Sequence, residues 1–104
     1  MQRLLTSGEK RLVSALARAG RIDLPTEWLD QVKVTPMNDG DMGSLRFHSS
    51  SAKRMGKQIS ELKFRDADEV DVIASLNVDE TGAPFELDIW KVNFKPLIRI
   101  PEHL

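Results

Sequence analysis

Cysteine is absent from this chain, which excludes disulfide bridges and thiolate zinc sites. That absence fits a reducing compartment, so the expected location is the cytoplasm. No apolar run approaches the roughly 20 residues that a membrane-spanning helix needs. The opening, MQRLLTSGEKRLV, has no apolar stretch of the kind a secretory signal carries. A charge excess of one sign is missing too. The 15 Lys and Arg against 16 Asp and Glu leave −1, which argues against general attraction to nucleic acid or to a membrane surface. No G-x-S-x-G elbow surrounds any serine. The turn Asn38-Asp39-Gly40-Asp41 lacks the ordered acidic spacing of a calcium loop, and turn chemistry explains it better. No motif names an activity, and no cofactor is implied.

What is present is a hairpin. Across residues 70–96, apolar side chains alternate at Val70, Val72, Ala74, Leu76 and Val78, then at Phe85, Leu87 and Ile89. That is the two-residue period of strands with one buried face. The expected register sets Val78 opposite Phe85, Leu76 opposite Leu87 and Ala74 opposite Ile89. On the other face Asn77 meets Glu86, Ser75 meets Asp88 and Ile73 meets Trp90. An even loop is required, because a one-residue slip would turn half the apolar set outward. Gly82 supplies a positive φ for the turn, Asp79 bonds its backbone, and Pro84 belongs at the entrance of the returning strand.

Ahead of the hairpin, Thr6 and Glu9 form a capping box before Leu12, Val13, Leu16 and Ala17, which share one helical face. Ala15 and Ala19 extend that face, and Gly20 is a natural stop. Pro25 opens a short second helix in which Trp28 and Leu29 reach the core. Residues 33–37 read as a strand that Pro36 confines to an edge or cuts short. Residues 44–48 and 57–65 read as further strands, the latter with Ser60, Leu62 and Phe64 inward. The polar stretch 49–54 reads as a loop, and the tail 94–100 as irregular or as a short edge strand tucking in Leu97, Ile98 and Ile100.

A chain of 104 residues forms one domain, here 1–104. At that size about 60–70% of the unfolded surface can be buried, enough for one core. Short connections imply antiparallel neighbours. The expected fold is α+β: an antiparallel meander of four to five strands with one or two N-terminal helices packed on one face.

The outward residues of the hairpin are the candidate site. Asp71, Asp79, Glu86 and Asp88 share the face with Asn77 and Ser75. Such acids would bind a cation or supply an acid and a base. An open sheet face spreads its carboxylates, however, and a solvated outer face is the simpler account. A second group, Arg46, His48, Lys53, Arg54, Lys57, Lys63 and Arg65, would form a positive strip for phosphate or nucleic acid. It lacks interleaved aromatics for stacking, so nucleic acid is disfavoured. Trp90, with Ile73 opposite, lies outside the core face. It marks an interface unless helix or tail covers it, or a bulge re-aims it.

The segments MNDGDMGSLRF, GKQISELKF and DVIASLNVDETGAPFELDIWKVNFKPLI resemble an uncharacterised family of small bacterial proteins, a domain-of-unknown-function family. The resemblance covers nearly the whole chain and is densest over 70–98. It implies a small bacterial cytoplasmic domain and carries no activity and no site residue with it.

The expected function is a non-enzymatic protein-interaction domain acting through Trp90, Ile73, Glu86, Asp88 and Asn77. The partner is a second protein, in an immunity-type or regulatory role, or a second copy of the chain. Two alternatives stand beside it. One is a metal-dependent enzyme using Asp79, Glu86 and Asp88. The other is phosphate or nucleic-acid binding by Arg46, Lys53, Arg54 and Lys57.

Overall fold

A computed structural model describes residues 1–49 and 54–104. The element order is β1 (Arg3–Leu4), α1 (Ser7–Ala19), α2 (Thr26–Gln31), β2 (Lys33–Pro36), β3 (Leu45–Phe47), β4 (Met55–Arg65), β5 (Asp71–Asp79) and β6 (Pro84–Lys91). The α+β class, the antiparallel pairing and the placement of helices on one face are as expected. Two features differ. Among the described residues the sheet has six strands rather than four to five, in the order β1-β2-β3-β6-β5-β4. It is also not a simple meander. β3 lies beside β6, and the chain re-enters the sheet at the far edge with β4, so β3 to β6 take a Greek-key order. The stretch 50–53, within the expected loop, lies outside the described residues.

Local chemistry explains the helices. The Thr6 hydroxyl accepts from Glu9 N at 3.2 Å, and the Glu9 carboxylate accepts from Thr6 N at 2.8 Å. That closes the capping box. Glu9 also accepts from both terminal guanidinium nitrogens of Arg3, Nη1 and Nη2, at 2.7 and 2.9 Å, tying β1 to the helix start. Leu12, Val13, Leu16 and Ala17 are buried as the spacing predicts, whereas Ala19 is exposed. The helix stops at Gly20, but the left-handed residue is Arg21 (φ 59). Gly20 serves a close approach instead: a Cβ there would lie 2.8 Å from Ile59 Cδ1. The Ser60 hydroxyl donates to Leu16 O at 2.6 Å, pinning helix to sheet. On α2, Leu29 is buried and Trp28 packs against Phe47, centroids 5.8 Å apart.

The hairpin register holds at Ile73↔Trp90, Ala74↔Ile89, Ser75↔Asp88, Leu76↔Leu87 and Asn77↔Glu86. Leu76 and Leu87 are 0% exposed. The pairing fails next to the turn. Val78 meets Pro84 rather than Phe85, and the loop spans residues 79–83, an odd number. A bulge at Phe85 absorbs the extra residue and restores the parity of the rest. Phe85 is buried outside the contiguous core, beneath the Arg46 guanidinium at 3.8 Å from its ring centroid. Asp79, expected to face outward, is buried. Its Oδ1 accepts from Thr81 N (2.7 Å), Thr81 Oγ1 (2.6 Å) and Ala83 N (3.1 Å).

β2 is not an edge strand. It lies between β1 and β3, and Pro36 ends it beyond the reach of the two-residue β1. The edge strand β4 carries bulges near Gly56 and Ile59, and charged side chains at Lys57, Lys63 and Arg65. Both features block pairing with another edge. The tail is irregular: Leu97 and Ile100 pack on the core, while Ile98 is exposed. No helix among the described residues is long and apolar enough to cross a membrane.

Candidate interaction surface

Strand alternation lays the open face out as rows. Crossing from β4 through β5 to β6, one row is Gln58, Asn77 and Glu86, with Arg46 of β3 beyond. The next is Glu61, Ser75 and Asp88. The third is Lys63, Ile73 and Trp90. All five proposed contact residues, Trp90, Ile73, Glu86, Asp88 and Asn77, therefore fall on one face. Trp90 is 44% exposed, so it is only partly covered, and its neighbour from the tail is the exposed Phe94. The hairpin bulge is at the other end of β6 and leaves Trp90 facing out.

Asn77 departs from the simple picture. It is on the outer face yet only 2% exposed. Its Nδ2 donates to Asp88 Oδ2 at 2.9 Å, while its buried Oδ1 has no donor among the described residues. Glu86 lies beside it. Burial first, and then the neighbouring Asp88 carboxylate, push the Glu86 carboxyl above its usual range, with Arg46 opposing.

Beside Trp90 stands Phe94, 69% exposed, with ring centroids 6.2 Å apart. Phe94 has φ 62. An aromatic residue rarely adopts that backbone, which costs roughly 1–2 kcal/mol for a residue with a Cβ. Val92, between Trp90 and Phe94 in sequence, is also exposed. Sequence reasoning did not single out Phe94; nothing in a period-2 pattern reports a φ.

In sequence the aromatic pair brackets Lys91, the centre of an ion cluster that sequence reasoning also missed. Lys91 is 0% exposed, and its Nζ donates to Asp66 Oδ2 (2.8 Å), Asp68 Oδ2 (2.7 Å) and Pro96 O (3.3 Å). Asp66 also accepts from Ala67 N (2.7 Å), Ile98 N (2.8 Å) and Arg99 N (3.0 Å). Burial alone would raise the Asp66 carboxyl, but the Lys91 ammonium and these backbone donors outweigh it and hold its pKa at about 2. Burial likewise pulls Lys91 down, and the two carboxylates more than compensate, so its pKa is raised. The signal was legible: the alternation that turns Leu87 and Ile89 inward turns Lys91 inward too. The cluster fixes the end of β6 and the start of the tail, and so the frame that holds Trp90 and Phe94.

The alternative constellations do not assemble. Asp79 is turned into its own loop, away from Glu86 and Asp88. Among the described residues no three His, Asp or Glu side chains gather as a metal site. The basic strip is divided. Arg46 lies on β3 over Phe85, and His48 bonds the Thr35 hydroxyl. Lys63 and Arg65 lie three strands further on, on β4, each 3.7 Å from Asp71. Acids of β5 and β6 stand between these groups, and Lys53 lies outside the described residues.

A family model described as Domain of unknown function (DUF6984) matches residues 2–101. No curated protein and no solved structure matches the chain.

Proposed function

We propose, from the premise that this chain belongs to the DUF6984 family, a domain family of unknown function, that it is a non-enzymatic protein-interaction domain. Its contact surface is the helix-free face of β5 and β6, centred on Trp90 and Ile73 and bordered by Glu86, Asp88 and Asn77. One observation carries this: Trp90 and Phe94 stand together in water on a face that no helix covers. Leaving a large aromatic side chain exposed forgoes part of the roughly 1.5–3 kcal/mol its burial would supply. Holding Phe94 at positive φ adds strain. Tryptophan anchors of this kind are where interface energy concentrates.

The acids beside the aromatic pair favour a basic partner, whose approach they would speed. An immunity-type inhibitor or a regulatory binder is one form of this role. The cysteine-free composition supports a cytoplasmic setting.

The test is site-specific photocrosslinking with Trp90→p-benzoylphenylalanine, using Glu27 on α2 as the control position. A discrete adduct at position 90, absent at 27 and lost when Asp88→Arg is added, is the expected result. Identical patterns at both positions, or no adduct at 90, would sink the reading.

A further inference from the structure

A cavity of about 410 Å³ opens between the outer sheet face and the 38–43 loop. Three of its lining side chains are carboxylates, each from a different element: Asp39 from the loop, Glu61 from β4 and Asp88 from β6. Trp90, Ile73, Met42 and Ile89 supply its apolar lining, and among the described residues no Lys, Arg or His lines it. We propose that this cavity is a receptor for a guanidinium group, the arginine side chain of a basic segment on a partner protein. The proposal rests on the interaction reading above and names the chemistry of its occupant.

The carboxylate spacing selects the ligand. Glu61 and Asp88 sit in one row on strands two apart, with Ser75 between, so their backbones are about 10 Å apart. Carboxylates so spread do not close around one metal ion, in keeping with the absence of a metal-like group among the described residues. A guanidinium is a flat fork with five donors, able to reach acceptors on opposite sides at about 2.9 Å each. It also stacks on indole rings, and Trp90, with Phe94 beside it, lines this cavity.

Two hydrogen-bonding details point to a missing donor. Asp39 Oδ2 accepts from Ser44 N at 3.0 Å, but among the described residues the buried Oδ1 has no donor. Native structures rarely leave a carboxylate oxygen in that state. Asn77 holds Asp88 through Oδ2, which leaves the other Asp88 oxygen to a ligand. The neighbouring cation does not fill the gap: the Lys63 ammonium is 3.7 Å from Asp71. A second copy of the chain is the poorer occupant, because it brings 16 acids against 15 Lys and Arg.

The test follows backbone amides and the Trp90 indole N–H by two-dimensional NMR. The titrant is a capped Gly-Ala-Arg-Ala-Gly peptide, with citrulline and lysine versions as controls. Saturable shifts at Asp39, Glu61, Asp88 and Trp90 are expected. Affinity should fall about tenfold or more with citrulline, with Asp88→Asn and, separately, with Asp39→Asn, the loss expected from one close charge pair. Lysine should bind several-fold more weakly than arginine. Equal binding of citrulline or lysine, no response at Trp90, or self-association of the free protein that Asp88→Asn abolishes would overturn the proposal. A specific crosslink at position 90 with no arginine response would defeat this inference and leave the docking reading standing; loss of both would remove both.

Discussion

Asp66→Asn is the substitution from which the structure predicts most. The side chain keeps its shape and loses its charge, in a site where all its acceptor capacity is used. Oδ1 receives Ala67 N and Arg99 N; Oδ2 receives Lys91 Nζ and Ile98 N. Whichever side the new amide nitrogen takes, it faces two donors and can accept from neither. Lys91, fully buried, keeps only Asp68 and a long contact to Pro96 O. Removing one partner of a buried ion pair costs about 3–5 kcal/mol, a large share of the roughly 5–15 kcal/mol that holds a domain folded. At about 4 °C per kcal/mol the melting temperature should fall by roughly 12–20 °C. Urea unfolding followed by circular dichroism measures the loss, and hydrogen exchange across residues 97–101 locates it in the tail. Asp68→Asn should cost clearly less, because Asp68 is exposed. The pH dependence has a definite sign. Asp66 is held at about 2 against an ordinary 3.8, so its contribution is complete above about pH 4 and disappears as pH falls toward 2. That limb of acid unfolding should be missing in Asp66→Asn. A loss under about 1 kcal/mol, with the tail amides still protected, would show that this cluster does not tie the tail down.

Three further substitutions probe other parts of the account. Phe94→Gly relieves the positive φ, so stability should hold or rise by up to about 1 kcal/mol while the position-90 crosslink disappears; a comparable loss in urea unfolding would instead make Phe94 a structural residue. Glu86→Gln should stabilise the protein at neutral pH, because burial raises the Glu86 pKa and ionisation then opposes folding. That gain should fade as pH falls through the carboxylate range, and a gain that persists in acid would refute the cause. Gly56→Ala should cost about 1–3 kcal/mol in thermal or urea unfolding, since a Cβ there would sit 2.6 Å from the Asp79 carbonyl; unchanged stability would mean the β4 bulge relaxes freely.

The central hairpin was legible because its signal is local and repeated. Five cross-strand pairs followed from parity alone, and the same parity placed Trp90 and Ile73 together on the outer face. The α1 cap was legible because Thr6 and Glu9 carry their own hydrogen-bonding logic. Parity was also where reasoning stopped short. Lys91 belonged to the inward series, but pairing it with Asp66 and Asp68 required knowing that the 66–69 turn folds beside the end of β6. The Val78–Phe85 pair failed because a bulge shifts the count by one, and no residue type announces a bulge. Glu61 could be assigned outward from its place between Ser60 and Leu62, whereas Asp39 sits in a loop that has no period.

Sequence alone determined which residues face inward along each long element and where the first helix begins, because side-chain period and capping act over a few residues. Tertiary structure decided what lies beside what. β3 alternates as legibly as any strand, yet its neighbour β6 follows only after β4 and β5 have been laid down. β1, at two residues, has no period to read and exists because the edge of β2 and the Arg3–Glu9 pair hold it. The cavity of Asp39, Glu61 and Asp88 joins three elements whose order in space is not their order in the chain. Its chemistry therefore comes from packing, which brings those carboxylates to one indole.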